Sequence, residues 1–431
     1  VSRVVIVGAG AIGLMCAYEL RRSGFEVWLL DRSEPGAGCS SGNLGWIVPS
    51  FARPLPAPGL VPLSIRWMFD RNSPLHIAPR ADPALARWLW DFWRHCNEHE
   101  YRAGLKALAQ LAAPTMANLD RLRADGVEFE MHESGVLFLF LSRAARDEVQ
   151  RDLAFMARNG GAAPRPLEPH EVRELEPRIR AAVAGGIFVA QERHVKPESL
   201  VAGLQRRLRE MGVEIRAGDD VTGVRLRGKA AAGSVRDIST PAKSAAALLT
   251  STGEVGGDLF LLTAGAWSGA LAGALGVSLP IQGGKGYSIT IDRPAWQPAH
   301  ALYLDEARVA LSPFEEQVRI GGTMEFSGFD TGVNRRRLDA IRAAAGRYLR
   351  EWPEGVRETA WAGLRPLTPD GLPVLGRLPG YENVFIATGH GMLGITLAPS
   401  TALVMTQLLQ TGISDIDLSP FRPDRFGHPR V

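Results

Sequence analysis

Gly8, Gly10 and Gly13 follow the apolar run Val4 to Val7 in a Gly-x-Gly-x-x-Gly pattern, with Ala11 and Ile12 inside it. The chemistry suited to that pattern is the holding of a pyrophosphate. The first glycine makes a tight turn, the second lets the backbone approach the phosphates, and the third allows a helix to pack closely on the strand. A helix reading onward through Leu20 would aim its first amides at the anion. Asp31 ends a second strand, Glu26 to Leu30, where its carboxylate can accept a hydrogen bond from a ribose 2′-hydroxyl, with Arg32 beside it. Strand, turn, helix, second strand and terminal acid together predict a dinucleotide fold. They leave NAD and FAD both open.

A second strand, glycine turn and helix stands near the other end of the chain. The run Val384 to Ala387 leads into Thr388, Gly389, His390, Gly391, Met392, Leu393 and Gly394, and a helix follows through Leu409 despite Pro399. Backbone N–H groups at such a turn again point at negative charge. Ahead of it lies Trp361 to Gly371, a segment carrying Gly363 and Arg365.

The elements that must position these groups are read from periodicity. The run Gly36 to Pro49 is polar and glycine-rich, holds Cys39, Ser40, Ser41, Asn43, Leu44 and Gly45, and reads as a loop able to line a cofactor. Helices are expected over Leu105 to Ala124, Arg146 to Arg158 and Glu198 to Met211, the last followed by a strand, Val213 to Ile215, returning to a parallel sheet. Leu226 to Glu254 reads as an elaborated hairpin. A buried strand, Asp258 to Thr263, runs into Ala264, Gly265 and Trp267. Strands Tyr287 to Ile291, Val309 to Ser312 and Val318 to Gly321, then a helix over Arg336 to Leu349, suggest a second domain on a mixed or antiparallel sheet.

Composition bounds the rest. A chain of 431 residues has room for more than one core, and 45% apolar with 22% charged residues is ordinary for a globular protein. A net charge of +3 from 49 basic and 46 acidic residues gives no dense positive surface, so no nucleic-acid partner is expected. The three cysteines are scattered, with no pair at metal-ligand spacing, so no metal is expected and a reducing compartment suits them. No signal peptide is read at the start, and no apolar run has the length of a bilayer span. The expected location is cytoplasmic. Trp67, Phe69, Trp88, Trp90, Phe92 and Trp93 admit two readings: the core of an irregular substrate domain, or a peripheral contact of residues 67–93 with the inner face of the membrane.

Taken in order, Val4 to Gly13, Cys39 to Pro49, Ala264 to Ser268, Lys285 to Thr290, Arg319 to Thr323, Trp361 to Gly371 and Thr388 to Thr396 resemble the D-amino acid oxidase superfamily, in its bacterial D-amino acid dehydrogenase branch. The resemblance implies an α/β fold class: a Rossmann-like FAD-binding domain from 1–50, 175–283 and 355–431, with a second, mixed-sheet α+β substrate domain from 51–174 and 284–354. It turns the cofactor to FAD, held non-covalently. By it, Val221 lies on the adenine side, Ser40, Ser41, Asn43, Leu44 and Gly45 face the flavin, Gly391, Met392, Leu393, Gly394, Ile395 and Thr396 sit at the flavin's pyrimidine edge, and Gly389 and His390 also bind the cofactor. Ala264, Gly265, Trp267 and Gly363 complete the cofactor-binding set.

The implied reaction oxidises a D-amino acid to the 2-oxo acid and ammonia, with hydride passing to the flavin and electrons going on to a quinone or another acceptor. D-proline or 4-hydroxy-D-proline dehydrogenation, or an oxygen-using oxidase, are the alternatives. Arg365 is expected to grip the substrate carboxylate, Tyr287 to donate a further hydrogen bond, and His390 to shape the flavin edge without acting as the base. Lys285 is expected near the flavin through water or else solvated. Many oxidases of the superfamily carry an arginine where Phe314 follows Pro313 here, which implies a more apolar pocket.

Overall fold

The structure, a computed structural model, describes residues 1–70, 73–227 and 242–427. A six-stranded sheet runs Glu214–Ala217, Glu26–Asp31, Arg3–Val7, Leu259–Leu262, Val384–Thr388, Val374–Arg377, parallel until the last strand. The apolar run at the start is this sheet's centre, covered on both faces, which is why it carries no alternation of polar residues. Helices Ala11–Arg22 and Gly394–Thr411 share one core on one face, through Leu14, Cys16, Leu397 and Met405. Pro399 lies inside the second helix, and near that break the buried Thr115 hydroxyl donates to the Thr396 carbonyl (3.1 Å).

A second, nine-stranded sheet is mixed. Its path is Arg357–Leu367, Gln282–Asp292, Gln317–Phe326, Val309–Pro313, Ala301–Leu304, Val136–Phe140, Gly185–Val189 and Arg165–Leu167, with Leu75–Ile77 paired beside Gln317–Phe326. Helix Arg335–Ala345 packs on it through Leu338 and Ile341.

Several expectations are corrected by these pairings. Strands Gly185–Val189 and Arg357–Leu367 belong to the large sheet, although 175–283 and 355–431 were assigned to the nucleotide domain, because strand partners are chosen across the chain and not along it. The single helix over Leu105 to Ala124 is two, Glu98–Ala112 and Thr115–Ala124, interrupted at Pro114. The hairpin over Leu226 to Glu254 has its described part in an antiparallel sheet of Val221–Leu226, Ala245–Thr250 and Gly253–Gly256; residues 228–241 lie outside the described residues.

The loop 36–49 bridges the two sheets, and its far end is fixed by a buried acid. Glu192 is 1% exposed and accepts the Ser50 N–H (2.9 Å), while the Ser50 hydroxyl accepts the Ala162 N–H (2.7 Å). Burial pushes the Glu192 carboxyl up from 4.5 to about 7, against the lowering effect of the Ser50 hydrogen bonds. The folded chain therefore holds this proton more tightly than the unfolded one. Its contribution to stability is fully present below pH 4.5 and is lost as pH rises to about 7. Thermal unfolding of Glu192→Gln should accordingly lose less stability than the parent across that interval. Parallel curves for the two proteins would show that Glu192 ionises freely in the fold.

Candidate active site

The nucleotide end is built from close backbone contacts. Gly8 has φ +110°, and a Cβ there would stand 2.5 Å from the Thr263 carbonyl oxygen. A Cβ on Gly13 would run into the Gly8 carbonyl, so the helix can begin only where it does because both positions are glycine. The Ala9 N–H donates to Asp31 Oδ2 (2.7 Å) and the Ser33 N–H to Oδ1 (2.9 Å). Burial nevertheless leaves the Asp31 carboxyl above the usual range. The Ser40 hydroxyl accepts the Ala11 N–H (2.8 Å). The amide of Ile12, which has no intrahelical acceptor at a helix start, is left to an anion. Arg32 lies 4.1 Å over the Trp267 ring, and that ring stacks on Phe329.

One continuous cavity of about 1710 Å³ runs from this turn to the large sheet. It exceeds the roughly 300–1,000 Å³ of an ordinary small-molecule site, as a dinucleotide plus a small substrate requires. Its lining includes Gly8, Gly10, Ala11, Ile12, Asp31, Arg32, Ser40, Asn43, Leu44, Gly45, Val221, Ala264, Gly265, Trp267, Gly363 and the run Gly389 to Ile395. Gly13, Ser41 and Thr396, expected to touch the cofactor, do not line it. Gly13 is turned against Gly8 and Thr263; the Ser41 hydroxyl donates to the Gly36 carbonyl (2.8 Å); the Thr396 hydroxyl donates to the Trp46 carbonyl (2.8 Å) and accepts the Val48 N–H (3.2 Å). Asn43 is likewise occupied, donating to Cys39 O and accepting from the Gly45 N–H. Its loop meets the cavity with backbone and glycine edges.

At the other end, Arg365 stands opposite Gly284 in the register of two strands of the large sheet, and its guanidinium lies over Gly286, where a Cβ would collide with it. Its Nη1 donates to the Thr323 carbonyl (2.8 Å). Thr323 has φ +61°, a left-handed conformation that is uncommon for a β-branched residue and marks strain of order 1–3 kcal/mol. Burial pulls Arg365 down to about 10, and among the described residues no carboxylate lies within 4.0 Å of it. A half-buried, unpaired guanidinium facing a cavity is a receptor for an anionic group.

His390 also lines the cavity, with Nε2 3.0 Å from the Thr401 hydroxyl. Burial pushes the imidazole down to about 3, so it is neutral at physiological pH. Gly391 donates its N–H to the Pro366 carbonyl (2.8 Å), joining the glycine turn to the strand that carries Arg365.

Tyr287 departs from expectation. Its hydroxyl donates to Glu325 Oε2 (2.9 Å), so its proton is committed away from a substrate, and burial pushes the phenol up to about 12. Lys285 is neither solvated nor at the cavity: it is 1% exposed and pairs with Glu325 (3.0 Å) and Asp330 (2.7 Å). Phe314 packs beside His194 and His132 under the Arg319 guanidinium and does not line the cavity, so it makes no apolar substrate pocket. Residues that sequence reasoning missed are Trp361, whose indole occupies the space a Cβ on Gly42 or Gly363 would need, and Arg53, Tyr303 and Arg308 along the far wall. Trp361 lay within a recognised segment; the others carried no local signal.

Gly13→Ala should be recovered with a sharply reduced flavin-to-protein absorbance ratio, because its Cβ would displace the Gly8 turn. A full flavin complement in that variant would contradict the packing just described.

The family model described as "DAO: FAD dependent oxidoreductase" matches residues 3–408. A D-amino acid dehydrogenase of Cereibacter sphaeroides (strain ATCC 17029 / ATH 2.4.9) is 32% identical over 443 residues, covering 100% of this chain and 98% of its own. One from Bradyrhizobium diazoefficiens is 30% identical over 443 residues, with 99% of each covered. Among solved structures, glycine oxidase from Geobacillus kaustophilus superposes with a TM-score of 0.75 at 23% identity, covering 99% of both chains. L-proline dehydrogenase from P. horikoshii superposes with a TM-score of 0.76 at 16% identity, covering 99% and 97%. At those identities the structural likeness speaks for the fold.

Proposed function

Because the chain belongs to the DAO family of FAD-dependent oxidoreductases, we propose that it oxidises a D-amino acid to the 2-oxo acid and ammonia. The observation that carries this reading is Arg365: an unpaired guanidinium, laid over a glycine and fixed by a carbonyl, in the same cavity as a dinucleotide turn. Gly8 to Ile12 would hold the pyrophosphate of FAD, Asp31 the ribose, Val221 the adenine side, and the 42–45 backbone with Gly389 to Ile395 the flavin. Bound FAD supplies the two-electron acceptor for the α-hydrogen.

The chain's own groups orient and screen. Arg365 takes the substrate carboxylate and so fixes where the α-carbon lies. His390 is neutral and bonded to Thr401, and Tyr287 is bonded to Glu325, so neither is arranged to remove a proton. The substrate amine therefore enters neutral, and its lone pair assists departure of the α-hydrogen. Helix Gly394–Thr411 presents its N-terminal end to the cavity, where negative charge is stabilised.

The purified chain should carry flavin that is released by denaturation, as a non-covalent cofactor is. Anaerobic addition of D-amino acids should bleach the flavin band, and L-amino acids should not. Arg365→Ala should keep its flavin while kcat/KM falls by about a hundredfold or more, chiefly through KM, as loss of a charge-assisted bidentate grip implies. Bleaching by no amino acid would sink the reading; unaltered kinetics in Arg365→Ala would remove that residue from it.

The electron acceptor is proposed to be a quinone reached at the membrane surface. Trp88 is buried against Phe92 and Phe326, so part of the aromatic segment does fill a core. Phe69, Trp90 and Trp93 are 88%, 59% and 50% exposed, and Trp93 stands with Ile65, Met68, Phe329 and Met392 around the cavity lining. Arg66 and Arg94 lie on the same two helices, Leu60–Met68 and Pro83–His95. Aromatic side chains with basic neighbours favour an anionic bilayer surface. Among the described residues no helix is long and apolar enough to cross a membrane. Phosphatidylglycerol vesicles should float with the protein at low salt and release Phe69→Ser/Trp90→Ser/Trp93→Ser. Equal flotation of the two proteins, or none of the parent, would assign the exposed rings to another purpose.

A further inference from the structure

Arg308 is in the turn between strands Ala301–Leu304 and Val309–Pro313, with φ +52°, a conformation that glycine or asparagine adopts far more readily than arginine. Its N–H bonds the Asp305 carbonyl (3.0 Å) and its Nη1 the Asp305 carboxylate (3.1 Å). Nη1 also stands 3.5 Å from the Tyr303 hydroxyl, and among the described residues no other nitrogen of this guanidinium is engaged. Arg53 approaches the same place, over the Phe51 ring (4.2 Å) and 3.5 Å from Asp152. Arg53, Tyr303 and Arg308 all line the cavity that holds Arg365.

The two ends of this wall share an anchor. Arg365 donates to the Thr323 carbonyl, and the Arg308 carbonyl stands 2.8 Å from where a Gly322 Cβ would be, so successive residues of one strand locate both arginines. Tyr303 is packed by Trp46 and Phe51, which leaves its hydroxyl end toward Arg308. A ligand whose carboxylate lies on Arg365 therefore has a second set of fixed donors within the same cavity. An apolar side chain brought there would strip water from the open edge of Arg308 and give nothing back. A cationic one would meet two guanidinium groups.

We infer that Arg308, with Tyr303 and Arg53, is a specificity site that selects substrates whose side chain ends in an oxygen acceptor, a carboxylate or carboxamide. This rests on the amino-acid reading of Arg365 above. Asp305 is the positioning residue, holding one edge of Arg308 so that the other faces the ligand. The site discriminates because its donors are fixed before binding, so an analogue lacking the acceptor leaves them unpaired.

The test is a steady-state comparison of the flavin-loaded enzyme on D-glutamate, D-glutamine, D-leucine and D-lysine. The kcat/KM for D-glutamate or D-glutamine should exceed that for D-leucine by about tenfold or more, and D-lysine should be the poorest of the four. In Arg308→Asn/Asp305→Asn the acid that would be stranded is neutralised and asparagine accepts the left-handed turn. That variant should bring the ratio to near unity, mainly through KM, with flavin content reporting an intact fold. Arg308→Lys, which keeps the charge without the fork, should retain part of the preference. A parent enzyme favouring D-leucine or D-lysine, or a ratio unmoved in the asparagine variant, overturns the specificity site while leaving amino acid oxidation standing. Failure of every D-amino acid to bleach the flavin overturns both.

Discussion

An arginine with no acid beside it is expensive to hold half-buried, and the middle of this molecule is shaped around doing so at residue 365. Burial pulls the group down to about 10, against the raising influence of Cys39 and Tyr303. A neighbouring carboxylate would relieve that cost but would also fill the site. The structure instead supplies a neutral acceptor, the Thr323 carbonyl, and removes the side chain from the facing strand at Gly286 so that the guanidinium can lie flat. The strained backbone at Thr323 sits at this point, in the register shift between the Tyr287–Gly322 and Lys285–Glu325 pairs. The acids nearby are directed elsewhere: Glu325 is held by Lys285 and Tyr287, and Asp305 by Arg308.

That arrangement is useful only if the nucleotide sheet is held in fixed relation to it, and the loop 36–49 does this work. Ser40 caps the first turn of helix Ala11–Arg22. Gly42 donates to Glu198 and accepts from Ser288; Leu44 accepts from Ser312; the Asn43 carbonyl accepts from Arg319. Arg319 is in turn held by Glu198 (3.0 Å) and Thr290 (2.8 Å). Thr396 then ties Trp46 and Val48 to the start of the C-terminal helix. One loop thus bonds to the large sheet and to both helices whose first turns face the cavity. Its polar side chains are consumed in that bonding, which is why its backbone and glycines are what remain to meet a flat ligand.

What was legible in the sequence follows from this division. Gly8, Gly13 and Asp31 were readable because they stand at fixed spacing in one strand–turn–helix–strand pattern, where Gly13 meets the Gly8 carbonyl and Asp31 accepts the Ala9 N–H. Arg365 was readable through the segment that carries it, although nothing in that segment tells that the guanidinium is unpaired. The bonds of the Tyr287 and Thr396 hydroxyls were not readable for a common reason: a hydroxyl's direction is settled by whichever partner the fold brings near, and Glu325 and the Trp46 carbonyl are far away in the chain. The strand Val136–Phe140 is a wholly buried apolar run whose partners lie at 185–189 and 301–304, so the pattern marks burial without telling which sheet receives it. Arg308 gave no signal at all, since only a backbone angle distinguishes it from any arginine in a turn.

The division also places catalysis and selectivity in different parts of the chain. Residues that would hold the cofactor come from the two sequence ends and from 221–267 between them, and act largely through backbone, so few of their side chains are free to vary the reaction. The residues proposed to face a substrate come from the large sheet and one of its turns: Arg365 and Tyr303 on two strands and Arg308 in the turn that follows the strand of Tyr303. On the proposed reading, changing the far wall would alter which side chain is accepted while leaving the carboxylate grip in place, since the Arg308 backbone meets Gly322 and the Arg365 guanidinium meets the Thr323 carbonyl.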